Sequence, residues 1–237
     1  TLMKEPRVTI DYFSDLLCIW AYGAQIKIDE LRRTFGSEVL IRHRYIPLFG
    51  DTASRIGDGW SDRGGFEGFG RHVRDTADAW EHVEVHPQLW QHDAPASSVP
   101  AHVFVKAVQL LELDDELDKD ADTGDSRRTV AEELAWRLRE RFFRDAENIA
   151  RRTVQEEAAA SLGLPVNRLR AHIDSGEAHA AAHLDLQARD LHQVPGSPCM
   201  VLNEGRQRLY GNVGYRVIEA NVMQLLSDPL YGQASWC

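Results

Sequence analysis

The chain is poor in cysteine: it has three among 237 residues, Cys18, Cys199 and Cys237. So small and odd a number in a chain of this length excludes a disulfide-stapled scaffold. Positive charge is also scarce, with 27 lysines and arginines against 37 acidic residues and a formal net charge of -10. Nucleic acids and anionic lipid surfaces require a basic face, so neither is an expected partner. No run of about twenty apolar residues is present, and no membrane-spanning helix is expected. The lead from Thr1 to Ile10 lacks the long apolar core of a signal peptide, although a start at Thr1 leaves a removed segment open. Internal repeats are missing too. What remains is a chain that is 43% hydrophobic, enough for one sizeable core or a core with an inserted subdomain. The expectation is a cytoplasmic protein with reduced thiols.

The apolar pattern divides the chain into three stretches. Val8, Ile10, Tyr12 and Phe13 form a β-prone run. Ala21, Ala24, Ile28 and Leu31 recur at helical spacing between Cys18 and Phe35, and Gly36 ends that helix. Val39 to Ile46 alternates like a strand and stops at Pro47. The opening is therefore β-α-β. Gly50 to about Gly70 is rich in Gly, Asp and Ser without a clear period, and a loop is expected there. Helices are expected over Val99–Leu113, Arg127–Phe143, Asn148–Leu162, Val166–Ile173 and Ala178–Leu191, with the acidic run Asp114–Asp125 as a solvated loop. The end is β-β-α: Met200–Leu202, a turn at Asn203-Glu204-Gly205, Gln207–Tyr210 and an amphipathic helix over Tyr215–Leu226. The fold class is α/β, a thioredoxin-like sheet with an inserted all-helical domain. Residues 1–60 and 192–237 would form the discontinuous sheet domain, and 61–191 the insertion.

Cys18 stands where a strand-to-loop passage becomes a helix. Free N–H groups and the positive end of the helix dipole favour thiolate there, and the thiolate is the reactive form. A buried, inert packing thiol is the plainer alternative. Cys199 is expected to be a packed core thiol, and Cys237 a terminal thiol without a role. His179 and His183 lie four apart near Glu177, but a solvated helix face accounts for them better than a metal site. The same holds for His82, His86 and His92, and no metal is expected. Gly65 to Gly70 follows no strand and has no Lys-Ser or Lys-Thr after it, so it is not a phosphate loop.

Ser14-Asp15-Leu16-Leu17-Cys18-Ile19-Trp20-Ala21-Tyr22 resembles the active-site segment of DsbA-family thioredoxin proteins, where Cys-Pro-Trp-Cys-Tyr is frequent. Val194-Pro195-Gly196-Ser197-Pro198 resembles the family's Val-Pro-Gly-x-Pro loop. Leu209 to Tyr215 and Ser98-Val99-Pro100-Ala101-His102 continue the likeness, which covers nearly the whole chain in the family's order. The resemblance implies a cis bond before Pro198, facing the nucleophile. The departure is Ala21, which stands where dithiol members carry their second cysteine, and Ile19 replaces the usual proline.

The resemblance implies a thiol-disulfide oxidoreductase with Cys18 as the catalytic nucleophile. Without a second thiol, its mixed disulfide needs an outside resolver such as glutathione. Asp15, Trp20, Tyr22, Ser197, Pro198 and Asn212 are assigned to substrate binding. Two alternatives stay open. Kappa-class glutathione transferases and hydroxychromene-carboxylate isomerases are similar in plan, but carry serine where Cys18 stands. Their Ser-Asp pair falls roughly at Asn212-Val213, without the carboxylate. A binding module that kept the fold and lost the chemistry is the other. No permanently bound cofactor is expected. The expected partners are a thiol or disulfide substrate and glutathione, and a homodimer is compatible with the sequence.

Overall fold

The computed structural model describes residues 6–114 and 128–227. Most of the acidic run at 114–125, as well as Cys237, lies outside the described residues. Four strands form one sheet in the order β2-β1-β3-β4: β1 (Val8–Ser14), β2 (Val39–Tyr45), β3 (Cys199–Leu202) and β4 (Gln207–Tyr210). β1 is parallel to β2, with Val8 opposite Val39 and Ser14 opposite Tyr45. It is antiparallel to β3, with Tyr12 opposite Met200. A parallel pair needs a crossover, and α1 (Ile19–Phe35) supplies it.

β1 sits between two neighbours and is covered on both faces, so nearly all its residues are buried. β2 is at the edge, and its burial alternates. On one face Ile28 and Leu31 of α1 pack with Ile10, Tyr12 and Met200. Ile218, Val222 and Leu225 of the last helix, α8 (Tyr215–Ser227), join them. On the other face Phe13, Ile46, Val194, Cys199 and Val201 form a smaller cluster.

The helices between β2 and β3 form the inserted segment. They are α2 (Gly65–Ala77), α3 (Val99–Leu113), α4 (Val130–Phe143), α5 (Arg152–Ser161), α6 (Val166–Asp174) and α7 (Glu177–Leu191). Their shared core includes Phe104, Leu134, Leu138, Phe142 and Leu169, and it continues into Leu16, Leu17, Cys18 and Tyr22. The segment that follows β1 thus belongs to the same core as the insertion. Charged groups also tie the two parts together. Asp185 of α7 accepts from Tyr45 N at 2.9 Å and lies 2.9 Å from Lys106 Nζ and 3.2 Å from Arg44 Nη1.

Two expectations need correction. The stretch from Gly50 to Gly70 is not a loop: residues 53–58 form a π-helical turn, 61–63 a 3-10 turn, and α2 starts at Gly65. The glycines there serve close approach. A Cβ at Gly68 would lie 1.8 Å from the Arg63 carbonyl oxygen, and one at Gly70 would lie 2.3 Å from that of Leu89. α5 starts at Arg152 rather than Asn148. The Asn148 side chain accepts from Ala150 N at 3.0 Å, closing a turn that competes with the helix. The start of α4 at Val130 follows from a capping box between Thr129 and Glu132.

Candidate functional site

Cys18 is the N-cap of α1, with extended backbone dihedrals. Its Sγ donates to the Ser197 carbonyl at 3.5 Å. The Ser197-Pro198 bond is cis, and Ser197 Oγ accepts from Asp15 N at 3.0 Å. The two sequence segments that carry the family likeness, 179 residues apart, therefore meet at one sulfur.

Burial pushes the Cys18 thiol up from its ordinary value. The Ser197 side chain and the N–H groups of Ala21 and Trp20 pull it back, while the negative charge of Asp15 adds to the rise. The helix-start effect expected from the sequence is present, but it is smaller than the burial penalty.

Asp15 is wholly buried behind the cysteine. Its Oδ1 accepts from Leu17 N at 2.8 Å. Its Oδ2 accepts from Phe49 N at 2.9 Å and from Ser98 Oγ at 2.8 Å. His102 Nε2 lies 3.4 Å from Oδ1 and 3.1 Å from Leu16 N. Burial opposes the carboxylate, yet His102 and the N–H groups of Phe49 and Leu17 outweigh it. The carboxyl is held below the usual carboxylate range. Asp15 thus joins the start of α1, the end of β2 and the start of α3.

Cys18 opens on a cleft of about 470 Å³ lined by Trp20, Leu48, Phe49, Arg55, Trp60, Phe69, His72, Ser197 and Tyr210, among others. Of the residues assigned from sequence, the structure brings Cys18, Trp20 and Ser197 to this cleft. Pro198 lies just behind, in a small cavity with Tyr12 and Lys27. Asp15 is not among the lining residues. Tyr22 is buried and stacks on Phe143 with ring centroids 4.8 Å apart. Asn212 is exposed and accepts from Lys27 Nζ at 2.6 Å, also outside the cleft lining. Among the residues that sequence reasoning missed, Leu48 and Phe49 follow β2 and Tyr210 ends β4, while Arg55, Trp60, Phe69 and His72 come from the segment read as a loop or from α2. Three aromatics in that stretch, Trp60, Phe66 and Phe69, were the available signal. Among the described residues, no group of three His, Cys, Asp or Glu side chains is placed to hold a metal.

The fold recurs in solved structures. One described as a probable DsbA oxidoreductase from Streptomyces coelicolor matches with a TM-score of 0.68 and 16% identity, covering 97% of this chain and 94% of that one. The chain has the DsbA-type thioredoxin fold. The cytosolic disulfide reductase DsbM from Pseudomonas aeruginosa, solved with GSH, matches it with a TM-score of 0.64 and 18% identity, over 91% of this chain and 99% of that one. A 2-hydroxychromene-2-carboxylate isomerase matches with a TM-score of 0.59 and 14% identity, over 92% and 96%. No family model and no curated protein matches the chain. In this DsbA-type fold, as described, no helix is long and apolar enough to cross a membrane.

Proposed function

We propose that the protein is a thiol-disulfide oxidoreductase that works through Cys18 alone and uses glutathione as its resolving thiol. The observation that carries this reading is the surroundings of the Cys18 sulfur. It caps α1, meets the Ser197 loop and faces a cleft. Ala21 stands three residues further along, buried in the first turn of the helix, so no second thiol follows there. The other described thiol, Cys199, is packed among Phe13, Ile46 and Val201.

The steps balance as follows. Cys18 gives its proton to water, and its thiolate attacks one sulfur of a docked disulfide. The substrate S–S bond breaks, and one half departs as thiolate with the electron pair. A glutathione thiolate then attacks the substrate sulfur of the mixed disulfide, and Cys18 leaves as thiolate. The second product is a glutathione mixed disulfide, which a further glutathione reduces. Two glutathiones are oxidised for each substrate disulfide reduced. The N–H groups of Ala21 and Trp20 stabilise the Cys18 anion each time it forms, whether as nucleophile or as leaving group. Net flow toward reduction fits a cytoplasmic setting, where glutathione is kept reduced.

The test is to incubate the protein with glutathione disulfide, locate the adduct by mass and measure turnover with added glutathione. An adduct on Cys18, and turnover that saturates with glutathione and vanishes in Cys18→Ser, supports the reading. Tight glutathione binding with no adduct, or full turnover in Cys18→Ser, overturns it.

A further inference from the structure

The cleft beside Cys18 has a charge and a surface that the disulfide chemistry alone does not explain. The chain carries ten more acidic than basic side chains, yet none of the residues lining this cleft is acidic. Its fixed charge is Arg55, an exposed side chain in the π-helical turn at 53–58. Among the described residues Arg55 has no carboxylate partner. The nearest acid upstream in its own turn, Asp51, is engaged by Ser54 N at 3.2 Å and Ser54 Oγ at 2.8 Å. The guanidinium is held over the Phe49 ring, 4.9 Å from its centroid, rather than by an ion pair. His72 lines the same cleft.

The remaining surface is aromatic. Trp20, Phe49, Trp60 and Phe69 all line the cleft. Trp20 is 37% exposed, a large area of indole to leave uncovered next to a nucleophile. Trp60 meets Phe69 edge-on with centroids 5.1 Å apart, and the Arg63 guanidinium covers one part of its ring at 3.8 Å from the centroid. At about 470 Å³ the space suits one small molecule; cavities that enclose such ligands span roughly 300–1,000 Å³.

Resting on the reading of Cys18 as the nucleophile, we infer that the substrate is a small disulfide with at least one half an aromatic thiol bearing a carboxylate. Its ring lies among Trp20, Trp60 and Phe69, and its carboxylate pairs with Arg55. A planar guanidinium with open donors suits a carboxylate, and aromatic faces suit an aryl ring. The disulfide sulfur then sits at the Cys18 end of the cleft. Cys18 thiolate attacks it, the S–S bond breaks, and the aryl thiolate departs with the electron pair while Cys18 keeps the other half.

The full chain with Cys199→Ser and Cys237→Ser isolates Cys18 as the reporting thiol. Four probes are compared by stopped flow: dithiobis(nitrobenzoate), uncharged dithiodipyridine, bis(hydroxyethyl) disulfide and glutathione disulfide. Arg55→Ala is expected to slow dithiobis(nitrobenzoate) about tenfold and to leave the other three within about twofold, with Arg55→Lys recovering most of the loss. Trp60→Leu is expected to slow both aromatic probes several-fold and spare bis(hydroxyethyl) disulfide, which also shows that the variant is folded. If Arg55→Ala slows every probe alike, slows none, or slows glutathione disulfide most, the aromatic carboxylate assignment is overturned while the nucleophile stands. If Cys18 reacts with no probe at all, the disulfide reading itself fails and this inference falls with it.

Discussion

Cys18 and Cys199 are buried to similar depth, 5% and 1% exposed, and burial pushes both thiols up. Their surroundings differ. Cys199 lies within the sheet, where its residue pairs with Phe13 on one side and Tyr210 on the other. The sheet leaves no N–H for its sulfur, and only the distant charge of Arg208 eases the rise to about 11. Cys18 stands at a helix start, where the N–H groups of Trp20 and Ala21 lie close enough to ease the rise, although Ala21 N also bonds the Cys18 carbonyl at 3.1 Å. Depth therefore does not separate the two thiols. What separates them is whether backbone N–H groups reach the sulfur.

The sharpest way to break this comparison is to exchange the roles. Cys18→Ser should lower glutathione-coupled disulfide reduction by about a thousandfold or more, whereas Cys199→Ser should stay within about twofold. A coupled turnover assay decides it, and comparable losses in both variants would erase the distinction. Next in size is the alkylation rate at pH 8, read residue by residue by mass. Cys18 should react about a hundredfold faster than Cys199, and its rate should still be climbing above pH 8.5, an ordinary thiol value. A plateau below pH 7 would show that the helix start outweighs burial after all.

Asp15→Asn probes the support behind Cys18. Loss of an acceptor for Leu17, Phe49 and Ser98 should cost about 2–3 kcal/mol of stability in urea unfolding at pH 7. Because the folded-state carboxyl is held below its usual range, its contribution is complete above the unfolded value of about 4. It is lost as pH falls through the lower folded value, so wild type and variant should converge in strong acid. The same variant removes a negative charge that raises the Cys18 thiol, so alkylation of Cys18 should shift to lower pH. Unchanged stability at pH 7 would contradict the bracing role. The smallest effect is expected from Ala21→Cys, which restores a dithiol and should lower the glutathione needed for half-maximal turnover by about three- to fivefold.

The sheet was legible because Val8 to Phe13 is β-prone, Val39 to Ile46 alternates, and Gly36, Pro47 and the Asn203-Glu204-Gly205 turn mark where strands begin or stop. The meeting of Cys18 with Ser197 followed from two motifs in a known order. The wall of the cleft was not legible. Residues 53–77 carry glycines that usually mark loops, and only the structure shows Gly68 and Gly70 making room for carbonyl groups of Arg63 and Leu89. Asp15 was read as a pocket residue from its closeness to Cys18 in sequence. Its partners Phe49 and Ser98 lie 34 and 83 residues away, and no local pattern announces contacts of that range. Tyr22 is one turn beyond Cys18, yet Phe143 and Trp136 of α4 claim its ring.

The separation of 179 residues between Cys18 and the carbonyl that shelters it has a consequence during synthesis. Chains grow at about 5–20 residues per second, so Cys18 precedes Ser197 by roughly 9–36 s. The β1–β2 pair can form early, but β3 has not yet been made, and the sheet is missing its third and fourth strands. Through that interval the nascent thiol has no Ser197 loop over it and no closed cleft around it.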